Sequence, residues 1–534
     1  METKEIVLEI KKPEIIVLLI ILTIILALNL QVTFSTPIVF GDEGFHTRMS
    51  QEIARDVEYP KWAPFMGIEQ KFGYSRPPLW NILEASFFFV LGFSEIIVKF
   101  LTPFIACILI GIITFIIGKR FYNEKIGVIA AIIAVTIPSF VTYSVLFYTD
   151  ILVTFYFILS IFTIFLAEKT NSKKYWILAG VFCAFTVLSK TTGAFIILIF
   201  GTYLFYQFVT KRNIKILKRY LVFISIFALI VGSYFLRNYS LFNTLSCDLP
   251  FFDKEKCSVM FDYTPTYEFT ARTEQVGTET SVFRMGFTNY LDFSYGNIWF
   301  VAFTFLCGLI LVLYRRKKSD MLILLTLPWL LFVLVYFVHR AEDTARYTLS
   351  WVPVVALISG IYLGEIYSFI KKYQKYLALI VFVFVLYFSF LNLKGKLDVM
   401  ASVKQFSPAF FEACDWIKEN TAEDSVMMTI WGWRAVYNCQ RNIAGIMPDM
   451  ADIEMSDDLN FILSRLNAHR ITHIFIQKFS LSNELLGEKY LISWVQFLEN
   501  NPENFVKIYE NGPSLEQCIQ AGGCDGNIVY EVRG

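Results

Sequence analysis

Residues 14–46 read EIIVLLIILTIILALNLQVTFSTPIVFGDEGFH. A helix needs about 20 consecutive apolar residues to cross bilayer hydrocarbon. This run supplies them and then ends against two adjacent carboxylates, Asp42 and Glu43. Runs of similar length recur at 95–118, 125–146, 151–168, 174–190, 192–209, 217–237, 297–314, 320–338, 347–368 and 375–393. A shorter one, 79–93, carries Asn81 and Glu84. The 534-residue chain is 56% hydrophobic and 17% charged, whereas a soluble domain is about 25% charged. An ordinary soluble enzyme and a disordered chain are both excluded. The expected fold is a polytopic α-helical membrane protein. The first run is long for a signal peptide, and Ala27-Leu28-Asn29 makes a poor cleavage site.

Lysine and arginine gather in cytoplasmic connections. Here they lie at Lys11-Lys12, Lys119-Arg120 with Lys125, Lys173-Lys174, 211–219, 315–318, and Lys371-Lys372 with Lys375. With these inside, the N-terminus is cytoplasmic. The segments 35–94, 147–150, the turn near 190, 238–296, 339–346 and everything after 394 then lie outside. The alternation closes with eleven crossings if 79–93 is a re-entrant or interface-lying helix. The protein is expected in the cell membrane, with 35–94 and 238–296 as its long outer loops.

A formal net charge of +1 gives no ground for a nucleic-acid partner. It conceals a division. From Asp398 onward there are 19 acidic and 10 basic residues, and before it 37 basic and 27 acidic. The boundary separates a membrane domain, 1–394, from an exposed domain, 395–534. In the latter, Ser407-Pro408 opens a helix over 407–420. Apolar runs at 425–431, 471–477, 505–510 and 527–532 read as strands, with helical patterns near 456–468 and 483–499. That is a small C-terminal extracytoplasmic α/β domain. Cys107, Cys183 and Cys307 fall in membrane runs; Cys247, Cys257, Cys414, Cys439, Cys518 and Cys524 fall outside, in even numbers per region. An oxidising exterior permits disulfides there, most simply Cys247–Cys257, Cys414–Cys439 and Cys518–Cys524, although the last four allow three connectivities.

Charges at a membrane edge are the best functional pointers, because burying them is costly. Asp42-Glu43 begins a segment whose helical face carries His46, Arg48 and Glu52; read blandly, this is a capped, solvated helix. Arg76-Pro77-Pro78 precedes the apolar run 79–93, Tyr148-Thr149-Asp150 sets a carboxylate at an outer helix end, and Leu188-Ser189-Lys190-Thr191 and Leu236-Arg237-Asn238 set cations at two more. Lys190 and Arg237 could simply snorkel. His339, Arg340, Glu342, Asp343, Arg346 and Tyr347 crowd a late outer loop, and such a charged cluster is usually a solvated turn. His469 and His473 have no third ligand nearby and read as structural. Trp431-Gly432-Trp433 offers aromatic faces that could stack on sugar or simply pack.

In order and sidedness these elements, with Arg346-Tyr347 and Pro353, resemble the GT-C class of membrane glycosyltransferases. They are most similar to glycosyltransferase family 39, the protein O-mannosyltransferases and lipid A aminoarabinose transferases. Arg76 stands where many members have His, and 238–296 is too short for the extra outer domain of the eukaryotic protein mannosyltransferases. The resemblance implies transfer of a sugar from a polyprenyl-phosphate (dolichyl-phosphate) donor to a protein, lipid or glycan acceptor outside. On that implication Asp42 is the general base, with Glu43 and Asp150 as further catalytic carboxylates. Lys190, Arg237, Arg346 and Arg76 bind the donor phosphate, and His46, Asn238, Glu342 and Tyr347 contact sugar or acceptor. A divalent cation such as magnesium or manganese, held by Asp42, Glu43 and Asp150, is an option that the resemblance leaves open. The alternative is a transporter or flippase of lipid-linked sugars; a membrane scaffold with a partner-binding tail is a third reading. Paired halves and mid-span charges would mark a transporter, whereas here the charges sit at one face.

Overall fold

The computed structural model describes residues 13–39, 42–61, 76–170, 172–211, 214–243, 245, 299–315, 318–336, 346–404, 407–429, 432–444, 453, 456–478, 492–521 and 524–533. Among the described residues, all eleven long apolar runs hold helices. Seven helices are long and apolar enough to cross a membrane by themselves: Ile15–Ser35, Glu95–Phe121, Thr149–Thr170, Thr191–Thr210, Tyr220–Leu241, Arg346–Tyr373 and Tyr376–Val403. Glu124–Thr136 and Pro138–Ser144 make an eighth, bent by 63°, where Pro138 pushes Ile137 out of helical geometry. The other three runs hold Lys173–Ser189, Trp299–Arg315 and the pair Lys318–Leu324 and Leu327–Tyr336.

Three elements place the first outer segment. Helix α1, Pro13–Ser35, stops short of Pro37. Helix α2, Asp42–Asp56, starts with Asp42 and Glu43 in its first turn and carries Arg55 in its last, the charge order its dipole favours. Helix α3, Leu79–Leu91, follows Pro77-Pro78 and ends at Gly92, whose φ of 78° suits glycine. Its 13 residues span about 20 Å, too short for a hydrocarbon layer of about 30 Å. It packs along α2 instead.

The last membrane helix corrects one sequence boundary. It does not stop at 393 but runs on as Lys375–Val403. Leu393, Leu397 and Met400 keep helical spacing and are buried in the membrane core, so packing carries the helix past the end of the apolar run. The next residue, Lys404, is fully buried.

Beyond it, the tail is the expected α/β domain. Ser407 caps the helix Pro408–Asn420 by accepting from the Phe410 amide. Strands β1 Val426–Thr429, β2 Asn442–Ile443, β3 His473–Gln477, β4 Phe505–Asn511 and β5 Asn527–Val532 form one sheet in the order β2-β1-β3-β5-β4. β1 lies parallel to β2 and β3, and β5 lies antiparallel to β3 and β4. Alternating residues serve two cores. Val426, Met428, Ile474, Ile476, Ile528 and Tyr530 pack with helices Leu459–Ala468 and Ile492–Asn500. Met427, Phe475 and Val529 pack with Phe410 and Cys414. The disulfides Cys414–Cys439 and Cys518–Cys524 are formed; Cys247 and Cys257 lie outside the described residues.

Candidate active site

The charged groups singled out by sequence come from four distant segments and meet at one end of the bundle. Asp42 opens α2, and Asp150 lies in the first turn of Thr149–Thr170. Lys190 sits in extended backbone (φ −163°) between Lys173–Ser189 and the turn Thr191–Ala194. That turn folds back so closely that a Cβ on Gly193 would lie 2.2 Å from the Thr186 carbonyl oxygen. Only glycine fits there, and the fold-back fixes where Lys190 leaves the helix. Arg346 comes from just before the helix Val352–Tyr373.

Arg346 is the hub. Its Nη2 donates to Asp42 Oδ2 at 2.8 Å and its Nε to Asp150 Oδ2 at 2.8 Å. Lys190 Nζ donates to the other Asp150 oxygen, Oδ1, at 2.7 Å. The Arg346 guanidinium lies 4.4 Å over the Tyr148 ring and Lys190 Nζ 5.0 Å over that of Tyr347, favourable positions for a cation on an aromatic face. Asp42 keeps 22% side-chain exposure, Arg346 and Lys190 16% each, and Asp150 4%. Burial alone would raise the Asp42 carboxyl. Arg346 outweighs it, with Arg76 and His46, and holds Asp42 well below the usual carboxylate range.

Glu43 has another fate. Its Oε1 accepts from Lys404 Nζ at 2.9 Å and from the Phe147 amide at 3.1 Å. Lys404 also donates to the Val145 carbonyl at 3.1 Å and lies 4.6 Å over the Phe147 ring. Both side chains are fully buried. The solvated-helix reading of α2 therefore fails, since Glu43, His46 and Glu52 are all buried. His46 Nδ1 lies 3.2 Å from Asn81 Oδ1, and Asn81 Nδ2 donates back to the His46 carbonyl at 2.9 Å, locking α2 to α3. Burial pushes the His46 imidazole down to about 4 despite the pull of Asp42.

The remaining candidates form a supporting tier. Arg76 lies 4.4 Å over Phe45 and forms no ion pair among the described residues. Arg237 donates to the Pro60 carbonyl at 2.6 Å and to Asn238 Oδ1 at 3.0 Å, and covers the Tyr59 ring at 4.7 Å. Tyr59 in turn donates to the Arg76 carbonyl at 2.8 Å. Asn238 is buried and donates to the Leu245 carbonyl at 3.1 Å. Arg237 thus meets the Pro60 carbonyl and, through the Tyr59 ring, the segment at Arg76, while Asn238 meets the Leu245 carbonyl. Glu342, with His339, Arg340 and Asp343, lies outside the described residues.

The three carboxylates suggested for a cation do not converge. A guanidinium stands between Asp42 and Asp150, and Glu43 is turned to Lys404. Among the described residues no group of three His, Cys, Asp or Glu side chains is placed to hold a metal. Sequence reasoning missed Lys404 altogether; the signal available was the Leu393, Leu397, Met400 periodicity, which carries a helix up to it.

Residues 75–236 match the family model described as dolichyl-phosphate-mannose-protein mannosyltransferase. The match includes Arg76, Asp150 and Lys190. None of the curated proteins matches the chain. Among solved structures, it is similar to an archaeal oligosaccharyltransferase from Archaeoglobus fulgidus in complex with an inhibitory peptide and a dolichol-phosphate. There the TM-score is 0.63 at 13% identity, over 93% of this chain and 73% of that one. ArnT from Cupriavidus metallidurans bound to undecaprenyl phosphate gives 0.62 at 10% identity, over 96% and 97%. The arabinofuranosyltransferase AftD from Mycobacteria gives 0.55 at 13%, over 96% and 40%. At such identities the likeness is one of fold. The chain thus has the fold seen in these glycosyltransferase structures, and residues 75–236 are similar to the mannosyltransferase family.

Proposed function

We propose that this chain transfers a sugar from a polyprenyl phosphate, of dolichyl type, to an acceptor hydroxyl at the outer membrane face, with Asp42 as general base and inversion at the anomeric carbon. The observation that carries the reading is Arg346 bridging Asp42 and Asp150 with Lys190 behind. A base and a cation clamp stand side by side, half-shielded from water. The lipid phosphates in the archaeal oligosaccharyltransferase and ArnT structures support a donor of that chemistry.

In the transfer, Asp42 takes the acceptor proton as the acceptor oxygen bonds to the anomeric carbon. The bond from that carbon to the donor phosphate oxygen breaks, and its electron pair stays on the phosphate. A phosphodiester becomes a monoester and gains charge, which Arg346 and Lys190 stabilise as it develops and Arg76 reinforces by its field. Arg346 also times the base. While it holds Asp42, the carboxylate is a weak base. A phosphate that draws the guanidinium away removes the largest acidifying influence, and burial then strengthens the base. Asp150, engaged by two cations, orients the clamp. Inversion follows because one displacement needs one base and no second carboxylate as nucleophile.

Sidedness is supported by the helix ends. Lys119, Arg120, Lys173, Lys174, Arg315, Lys371 and Lys372 lie at helix ends opposite those bearing the site, as expected if the site and tail face outward and the N-terminus inward. The test is purified protein in lipid, offered a panel of polyprenyl-phosphate sugars with hydroxyl acceptors. The expected result is acceptor-dependent release of lipid phosphate with an inverted product. Movement of the intact lipid-linked sugar across the bilayer, without release, would overturn it in favour of a transporter.

A further inference from the structure

The tail does not merely hang from the last membrane helix. Its short helix Gly432–Asn438 lies against α2, and Val436, Tyr437 and Ile443 share a core with Ile38, Phe45, Met49, Ile53 and Phe147. Two hydrogen bonds fix the docking: Asn438 Nδ2 to the Ile38 carbonyl at 2.9 Å, and the Tyr437 hydroxyl to Glu95 Oε1 at 2.8 Å. Cys439, next in the chain, is buried and bonded to Cys414, which anchors the helix to Pro408–Asn420. The places gripped are informative. Ile38 lies four residues before Asp42, on the segment that delivers it. Phe147 donates its amide to Glu43 and precedes Asp150 by three residues.

We propose that Asn438, helped by Tyr437, is a positioning residue of the transfer reaction: the tail sets Asp42 against Arg346 by holding the Ile38 carbonyl. This rests on the reading of Asp42 as base. The tail is then a fixed wall of the catalytic centre rather than a separable acceptor-binding module. A module would affect acceptor affinity; a wall affects the base.

The test compares Asn438→Leu, similar in size without the amide donor, with Asn438→Gln, which restores an amide. In the Leu variant, kcat should fall about tenfold or more, as for ångström-scale misplacement of a catalytic group, with donor KM within about twofold. The acid limb of kcat/KM should move to higher pH, because Asp42 loses part of Arg346, and Gln should recover part of the rate. Independently of turnover, amide hydrogen exchange over 42–56 should quicken while that of Lys173–Ser189 stays the same. Unchanged exchange over α2, or a rise confined to acceptor KM, would overturn the proposal. If the wild type transfers no sugar, the function reading fails, and the exchange result still decides whether Asn438 holds α2.

Discussion

Asp42 and Glu43 are neighbours in sequence, in the same first turn of one helix, yet they belong to two different networks. Asp42 joins Arg346, Asp150 and Lys190 in a partly exposed array where one guanidinium serves two carboxylates and Asp150 engages two cations. Glu43 joins Lys404, the Phe147 amide and the Val145 carbonyl in a knot with no exposure at all. In the proposed reaction the first exchanges partners when the donor phosphate arrives; the second ties the last membrane helix, α2 and the segment leading to Asp150. On the proposed reading, adjacent carboxylates are divided between chemistry and architecture by access and partner, not by residue type.

The comparison breaks most visibly at the knot. Glu43→Gln or Lys404→Met alone leaves a charge buried without its partner, a loss of roughly 3–5 kcal/mol, and thermal unfolding in detergent should show it. The double variant should recover most of that loss. Two additive single losses would mean that the pair contributes independently of its charges.

His46, one turn beyond Asp42, sharpens the contrast by pH. Its folded pKa of about 4 lies below the ordinary 6.5, so below pH 6.5 the unfolded chain binds the extra proton. Stability should therefore fall as pH drops from about 6.5 to 4, by at most about 3 kcal/mol. His46→Gln should flatten that slope in melting curves taken across the range, and an unaltered slope would place the titrating group elsewhere. The smallest effect is expected at the clamp. Lys190→Ala should raise donor KM about tenfold, the worth of one charge-assisted hydrogen bond, with acceptor KM unmoved.

Much of this was readable in the chain because charges stand out against apolar runs. Among the described residues the eleven runs hold helices, and Asp42, Asp150 and Lys190 could be picked as polar groups at helix ends, whereas Arg346 stood in a loop cluster and was raised by the resemblance. The helix Gly432–Asn438 and the two-residue β2 were not readable, being too short to show a period; tertiary docking on α2 and β1 holds them. The same helix-end signal that found Lys190 also raised Arg237 and Asn238, which donate to the Pro60 and Leu245 carbonyls. Spacing marks a polar group as costly, but only the fold supplies the partner that offsets the cost. Lys404 shows the converse, since it lay in a region whose acidic composition spoke for solvent.

The division between the two networks is tested most directly by turnover of Asp42→Asn in lipid, with a donor that the wild type uses. Transfer should fall by three orders of magnitude or more, while donor binding and the melting temperature stay near those of the wild type. Retained transfer at more than a tenth of the wild-type rate would contradict Asp42 as the base and, with it, the distinction drawn between the two carboxylates.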